Sequence, residues 1–396
     1  MRPRSKFVRC LIYLLLGGVS ILFVMPFVWM VSTSLKPIDQ AMSLPLTLIP
    51  RAYYATVEGQ RREVTLDFAV AQSGVVAEVT SGAEAGRRLF LSDPELALRG
   101  AEVRVIHRVR PGWWHVTVRL NPERVIRPGV EPAPLEVEAA PWDLMPRSAI
   151  ESRIRFRWKN YPEALATIGG DPGEPGSIAA RNHISFWVFL GNSLTVGVLG
   201  VIGTLFSNAI VAYGFARLRW PGRDAFFAIT LATMMVPFPA LMVPLYGIFK
   251  TFHMIGTLQP LWVPTFFGSA FNIFLMRQFF LTIPEELSEA ARIDGCSEWR
   301  IFLSVILPLS KPVLAVAALL HFLFSWNDFM GPLLYLTRER SFTLSLALQS
   351  YESQNGGVQW NDLMAASTVT ILPIIVLFLF TQKFFVQGIA TTGTKG

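Results

Sequence analysis

The side chains equipped to act on a solute are few, and most of them sit where water should be scarce. Asn327 and Asp328 follow Trp326 inside one apolar stretch, Asn192 and Asn208 lie in a second, and Asn272 in a third. Amides and carboxylates at membrane depth are expensive and mark candidate pathways. Their chemistry would be hydrogen bonding to a passing polar molecule, lined by Trp326 and the asparagines. The plainer alternative is that they tie together helices kinked around Pro237, Pro239, Pro244 and Pro332. The chain has no glycine-rich phosphate loop ending in Lys-Ser or Lys-Thr, no His-Glu-x-x-His pair and no Gly-x-Ser-x-Gly elbow. No enzymatic activity, cofactor or metal site is therefore expected on it, and His107 and His115 read as part of a solvated strand face.

Such residues need long apolar elements around them. Of the 396 residues 52% are hydrophobic and 16% charged, a balance suited to lipid rather than water as solvent. Crossing the hydrocarbon core takes about 20 apolar residues in a helix. Six stretches qualify: residues 11–32, 186–213, 225–249, 261–280, 313–336 and 363–385. The first is too long for a secretory signal core and lacks a small-x-small cleavage site, so it reads as a retained span. Cys10 and Cys296 both fall on or near the inner side, which makes a structural disulfide improbable.

Six spans put both termini on one side, and the short loops say which. Arg2, Arg4, Lys6, Arg9, Arg217, Arg219, Arg223, Arg292, Arg300, Lys311, Lys383 and Lys395 gather on one face, against Lys250, Arg338 and Arg340 on the other. The positive-inside rule makes the first face cytoplasmic. Residues 36–183 are then extracytoplasmic. That segment carries a net charge of only +1, so the overall +7 belongs to membrane topology and gives no sign of nucleic-acid binding.

Between residues 51 and 158 the period changes to two, the signature of half-buried strands. Val64, Leu66, Phe68 and Val70 should face one way, as should Trp114, Val116, Val118 and Leu120, and Ile154, Phe156 and Trp158. Shorter strands are expected near 75–79, 103–109 and 135–137. Ser73-Gly74, Ser81-Gly82, Pro111-Gly112 and Pro128-Gly129 punctuate them. About six strands predict a small antiparallel sandwich or barrel. Residues 1–50 thus hold the N-terminus and first span, 51–158 the β-rich insert, 159–185 a linker with a Gly/Pro-rich stretch at 169–176, and 186–396 the remaining spans.

The loop at 283–312 reads as two short amphipathic helices. Pro284 suits a first turn, Glu285 and Glu286 its positive end, Leu287, Ala290 and Ala291 an apolar stripe, and Gly295 a left-handed cap. Ser297 can cap the second helix, with Trp299, Phe302, Leu303 and Ile306 on one face. The order Glu289-Ala290-Ala291, three residues, Gly295, nine residues, Val305-x-Leu307-Pro308 resembles the EAA loop of ABC importer permeases, with valine where that pattern has isoleucine. Similarity extends to LGNSL at Asn192, AYGFARLRWPGR from Ala212, MMVPFPALMVPLY from Met234, FSWNDF from Phe324 and the C-terminal tail. These resemble the carbohydrate permeases with six spans; the insert has no counterpart in that pattern.

The resemblance implies an α-helical polytopic membrane protein of the importer permease fold, in a bacterial cytoplasmic membrane. It implies that Glu289, Ala290, Ala291, Asp294, Gly295, Leu307 and Pro308 dock an ATP-binding subunit, with ATP and magnesium bound there. A second homologous permease, two such ATPases and an extracytoplasmic solute-binding protein would complete the assembly. Residues 337–362, with Gly356, Gly357 and an exposed Trp360, would reach the binding protein. An ion-coupled secondary transporter would usually show inverted repeats, and a receptor would need a cytoplasmic signalling domain; neither feature is evident.

Overall fold

The computed structural model describes residues 6–41, 47–57, 59–71, 73–80, 88–92, 103–118, 143–168, 184–354 and 360–392. The chain divides into two compact units, residues 1–164 with 355–365, and residues 165–354 with 366–396.

The first unit opens with helix α1, Lys6–Ser34, whose apolar residues 11–28 are exposed while Ser32, Thr33 and Ser34 at its end are buried. Eight strands follow among the described residues: β1 (Arg51–Val57), β2 (Gln60–Ala69), β3 (Gly74–Val79), β4 (Arg88–Ser92), β5 (Val103–Val109), β6 (Trp114–Val118), β7 (Asp143–Met145) and β8 (Glu151–Ile154). They form a five-stranded sheet ordered β7-β6-β2-β1-β8 and a three-stranded sheet ordered β4-β3-β5, every pairing antiparallel. Val57 pairs with Gln60 across the β1-β2 turn, where Gly59 takes φ +76°, and Gly112 takes φ +88° between β5 and β6. Left-handed turn positions of this kind favour glycine because a Cβ crowds the backbone there.

The β-rich reading of this segment holds, with more strands than the alternation showed. Val64 and Leu66 pack with Ala55, Val116 and Ile150 as the period predicts. A bulge between Leu66 and Ala69 then shifts the register, and Val70 joins Val76, Val109 and Leu144 in a second cluster linking the two sheets. The expectation fails at the end of the domain: Ile154, Phe156 and Trp158 are exposed, because β8 is an edge strand and the chain beyond it leaves the sheet. The linker expected at 159–185 begins with helix α2, Asn160–Thr167. Buried Asn160 explains why: its amide donates 2.8 Å bonds to the carbonyls of Ser34 and Lys36, clasping the chain that leaves α1. The strand expected at 135–137, the turns at 81–82 and 128–129, the stretch at 169–176, and the side chains of Phe68, His107 and Val118 lie outside the described residues.

The second unit contains α3 (Phe186–Ala216), α4 (Arg223–Ala232), α5 (Phe238–Thr251), α6 (Ala270–Thr282), α7 (Glu285–Ile293), α8 (Glu298–Ile301), α9 (Lys311–Asn327), α10 (Met330–Tyr335) and α11 (Leu344–Gln354). Helix α12, Trp360–Thr392, extends across both units. Among the described residues three helices are long and apolar enough to cross a membrane, or up to six if each bent pair counts as one. The stretch 225–249 is one of the bent cases, turning by 99° between residues 223–235 and 238–251. Pro237 has no amide hydrogen and drives Val236 out of the helical region to ψ 115°. Two further stretches break at Gly268, with φ +91°, and at Asp328, with ψ 118°.

Candidate functional site

Helix α7 starts after Pro284, which occupies its N-cap, with Glu285 and Glu286 in the first turn. It stops in a double backbone lock: the Cys296 amide donates to Ala291 at 2.9 Å and the Gly295 amide to Arg292 at 3.0 Å. This pattern requires a left-handed residue after the last turn, and Gly295 supplies it with φ +79°. The Ser297 hydroxyl then accepts the Arg300 amide at the start of α8. Arg292 crosses the turn to Glu298 at 2.7 Å, while the Tyr213 hydroxyl donates to the other Glu298 oxygen at 2.6 Å. These bonds, Arg292 first, hold the Glu298 carboxyl below the ordinary glutamate range.

Helix α8 continues into a π-helical stretch, Phe302–Ile306, and a last turn, Leu307–Leu309. The wider π turn changes which side chains share a face. Ile301, Phe302 and Ile306 are buried with Tyr213, Met276, Phe280, Val313 and Ala317, whereas Trp299 and Leu303 stay exposed. The single stripe expected through Trp299, Phe302, Leu303 and Ile306 is therefore split. Leu287 and Ile293 are exposed on α7 as well, so the helix pair has a face embedded among the spans and an apolar face left open. Glu289, Ala290, Asp294, Gly295 and Pro308 are exposed, and half-buried Ala291 and Leu307 pack against the shared core.

The fastening residues escape sequence reasoning. The Arg217 guanidinium donates to the Phe280 carbonyl at 2.6 Å and to that of Ile283, capping the end of α6. Arg217 follows Tyr213 by one helical turn, which is the only pattern available to find it. Arg292 and Glu298 meet across a glycine turn, at a spacing that no helical periodicity flags.

The polar residues inside the apolar stretches do not converge on one point. Asn192 donates to the carbonyls of Arg340 and Phe342 at 2.7 and 2.9 Å, and the Ser193 hydroxyl accepts the Leu344 amide at 2.8 Å. Fully buried Asn208 accepts the Ser269 amide at 2.6 Å, capping α6, and Asn272 reaches the Ser269 hydroxyl. Asn327 is exposed and donates back to Leu323. Asp328 accepts the Gly331 amide at 3.0 Å and starts α10. Trp326 is buried, its indole nitrogen without a partner among the described residues, as are His321 Nε2 and Asn272 Oδ1. The stretch expected to be a flexible outer loop at 337–362 contains α11, and Trp360 is half-buried at the start of α12; Gly356 and Gly357 lie outside the described residues.

Apolar helices of spanning length that hold an amphipathic helix pair against their ends define a class, the polytopic α-helical membrane proteins. Residues 208–391 match the family described as the binding-protein-dependent transport system inner membrane component. The arabinooligosaccharides transport system permease protein AraQ of Halalkalibacterium halodurans is 36% identical over 211 residues, covering 53% of this chain and 75% of that protein. The sn-glycerol-3-phosphate transport system permease protein UgpE of Pectobacterium atrosepticum is 32% identical over 255 residues, covering 64% and 84%. A crystal structure of a bacterial ABC transporter involved in the import of the acidic polysaccharide alginate shares the fold, with a TM-score of 0.55 at 18% identity over 97% of this chain and 99% of that one. The chain belongs to the family of binding-protein-dependent transport inner-membrane components, the permease subunits of ABC importers.

Proposed function

We propose that this chain passes a sugar or related polyhydroxylated solute across a bacterial cytoplasmic membrane, driven by ATP hydrolysis on separate subunits. The observation that carries this reading is the two-faced helix pair α7-α8. Its inner side chains, Ile301, Phe302 and Ile306, are continuous with the core of the spans, while Leu287, Ile293, Trp299 and Leu303 are left open. A partner that gripped the open face would move the helices that share the inner one. The solute class rests on the relatives, whose names specify arabinooligosaccharides and sn-glycerol-3-phosphate.

In this reading six spans place both termini in the cytoplasm and residues 36–183 outside. Glu289, Ala290, Ala291, Asp294, Gly295, Leu307 and Pro308 form the docking element for an ATPase that binds ATP and magnesium. A second homologous permease, two ATPase subunits and an extracytoplasmic binding protein complete the importer. Trp326, Asn327 and Asp328, at the break between α9 and α10, line part of the path, with Asn192, Asn208 and Asn272 holding the helices around it.

Affinity purification from the native membrane tests the scheme. An ATPase and a second permease should accompany the native chain, and Gly295→Trp should lose the ATPase while keeping the second permease. Purification of the native chain without any ATPase would overturn the importer reading.

A further inference from the structure

Helix α1 and the β-rich unit meet in a place that chain geometry fixes. The apolar part of α1 is 24 residues long, about 36 Å at 1.5 Å per residue, a little more than the roughly 30 Å hydrocarbon core. Its last turn, at Ser32 to Ser34, therefore emerges at the level of the lipid headgroups. Three bonds hold other segments to that point. The Ser32 hydroxyl donates to the Leu48 carbonyl, the Arg157 amide donates to Leu35 at 3.0 Å, and the hydroxyls of Ser34 and Tyr161 meet at 2.8 Å.

Beside the exposed Arg153 and Lys159, those segments carry apolar side chains that are open. Ile154, Phe156 and Trp158 are 61%, 49% and 66% exposed, and Leu48 and Ile49 beside them are exposed too. Pro50, next to Ile49, accepts the Arg155 amide, so the two stretches adjoin. The Phe156, Trp158 and Tyr161 rings follow one another with centroids 6.4 and 6.2 Å apart. Arg155, between the outward Ile154 and Phe156, is already paired with Glu63 at 2.7 Å. Burial of this face thus removes no unpaired arginine at 155 from water. On α1 itself, Phe27 and Val28 are exposed as well.

We infer that Leu48, Ile49, Ile154, Phe156 and Trp158 form an interfacial anchor that seats the β-rich unit on the lipid bilayer at the end of α1. Tryptophan and tyrosine favour this depth because their rings are apolar at one end and polar at the other. The anchor depends on α1 crossing the membrane and is independent of which solute passes. It restrains the β-rich unit through lipid contacts in the leaflet that α1 leaves at Ser34.

The test uses the assembled transporter in phosphatidylethanolamine–phosphatidylglycerol vesicles. Cys10 and Cys296 are replaced by serine, and Trp158→Cys carries an environment-sensitive fluorophore; Phe156→Cys provides a second site, and Thr56→Cys, exposed farther along β1, a control. Blue-shifted emission at 158 and 156, quenched by shallow doxyl lipid and little affected by aqueous iodide, is expected, with the reverse at 56. Quenching by iodide alone at 158 and 156 overturns the anchor. Shielding from both quenchers also overturns it, because the face is then covered by another protein subunit. ATPase co-purification with the labelled chain is scored separately, so a failed anchor and a failed importer reading give different results.

Discussion

Gly295 shows how much one residue's backbone can decide. An added Cβ would meet nothing within 4 Å, so space does not demand glycine there; the φ of +79° does. Left-handed geometry costs most side chains about 1–2 kcal/mol and asparagine less. ATPase retention should therefore fall in the order glycine, asparagine, valine in a co-purification series on Gly295→Asn and Gly295→Val. Equal loss in both variants would point to side-chain bulk at the docking surface instead. Glu298 makes a second residue-level prediction, because it bonds Arg292 on its own loop and Tyr213 on α3. Tyr213→Phe and Glu298→Gln should each weaken the attachment of α8 by about 1 kcal/mol. The double variant should lose less than their sum in thermal unfolding of the purified complex.

Helix α3 is the element on which the second unit is assembled, and three glycines spaced by three let its neighbours approach. A Cβ would fall 2.9 Å from Phe322 at Gly197, 2.6 Å from His321 at Gly200, and on Thr265 and Phe266 at Gly203. Close approach of this kind drives helix association in lipid, where the hydrophobic effect is absent between spans. Gly203→Leu should lower the melting temperature of the complex by several degrees, whereas Gly214→Ala, with open space around it, should not. Elements of this length were legible in the sequence because twenty apolar residues have few soluble interpretations. The cap at Gly295 and the β-rich character of residues 51–118 were legible for similarly local reasons. The breaks at Gly268 and Asp328, the bulge after Leu66 and the split face of α8 were not, since each depends on which distant side chain fills the space beside it. Asn192 and Asn208 illustrate the same limit: sequence marked them as unusual, but only the fold shows that Asn192 fastens the 340–344 loop and Asn208 fastens the start of α6.

At the scale of the whole molecule, the β-rich unit is closed at its base. Arg51 is the register partner of Ile154, so β1 and β8, the first and last strands, lie side by side. Replacing residues 51–155 by a short Gly-Ser linker should leave the chain in the membrane with its ATPase still bound, as judged by co-purification. Binding-protein-dependent uptake in that variant would then report what the unit contributes: unchanged uptake would exclude a role in bracing the binding protein or covering an outer gate. The same pairing bears on ancestry. An in-frame insertion between two neighbouring points of a short loop would leave both flanking helices undisturbed, so this family could acquire or shed such an outgrowth in one genetic event. A chain that shed the whole ornament would then keep the helical frame.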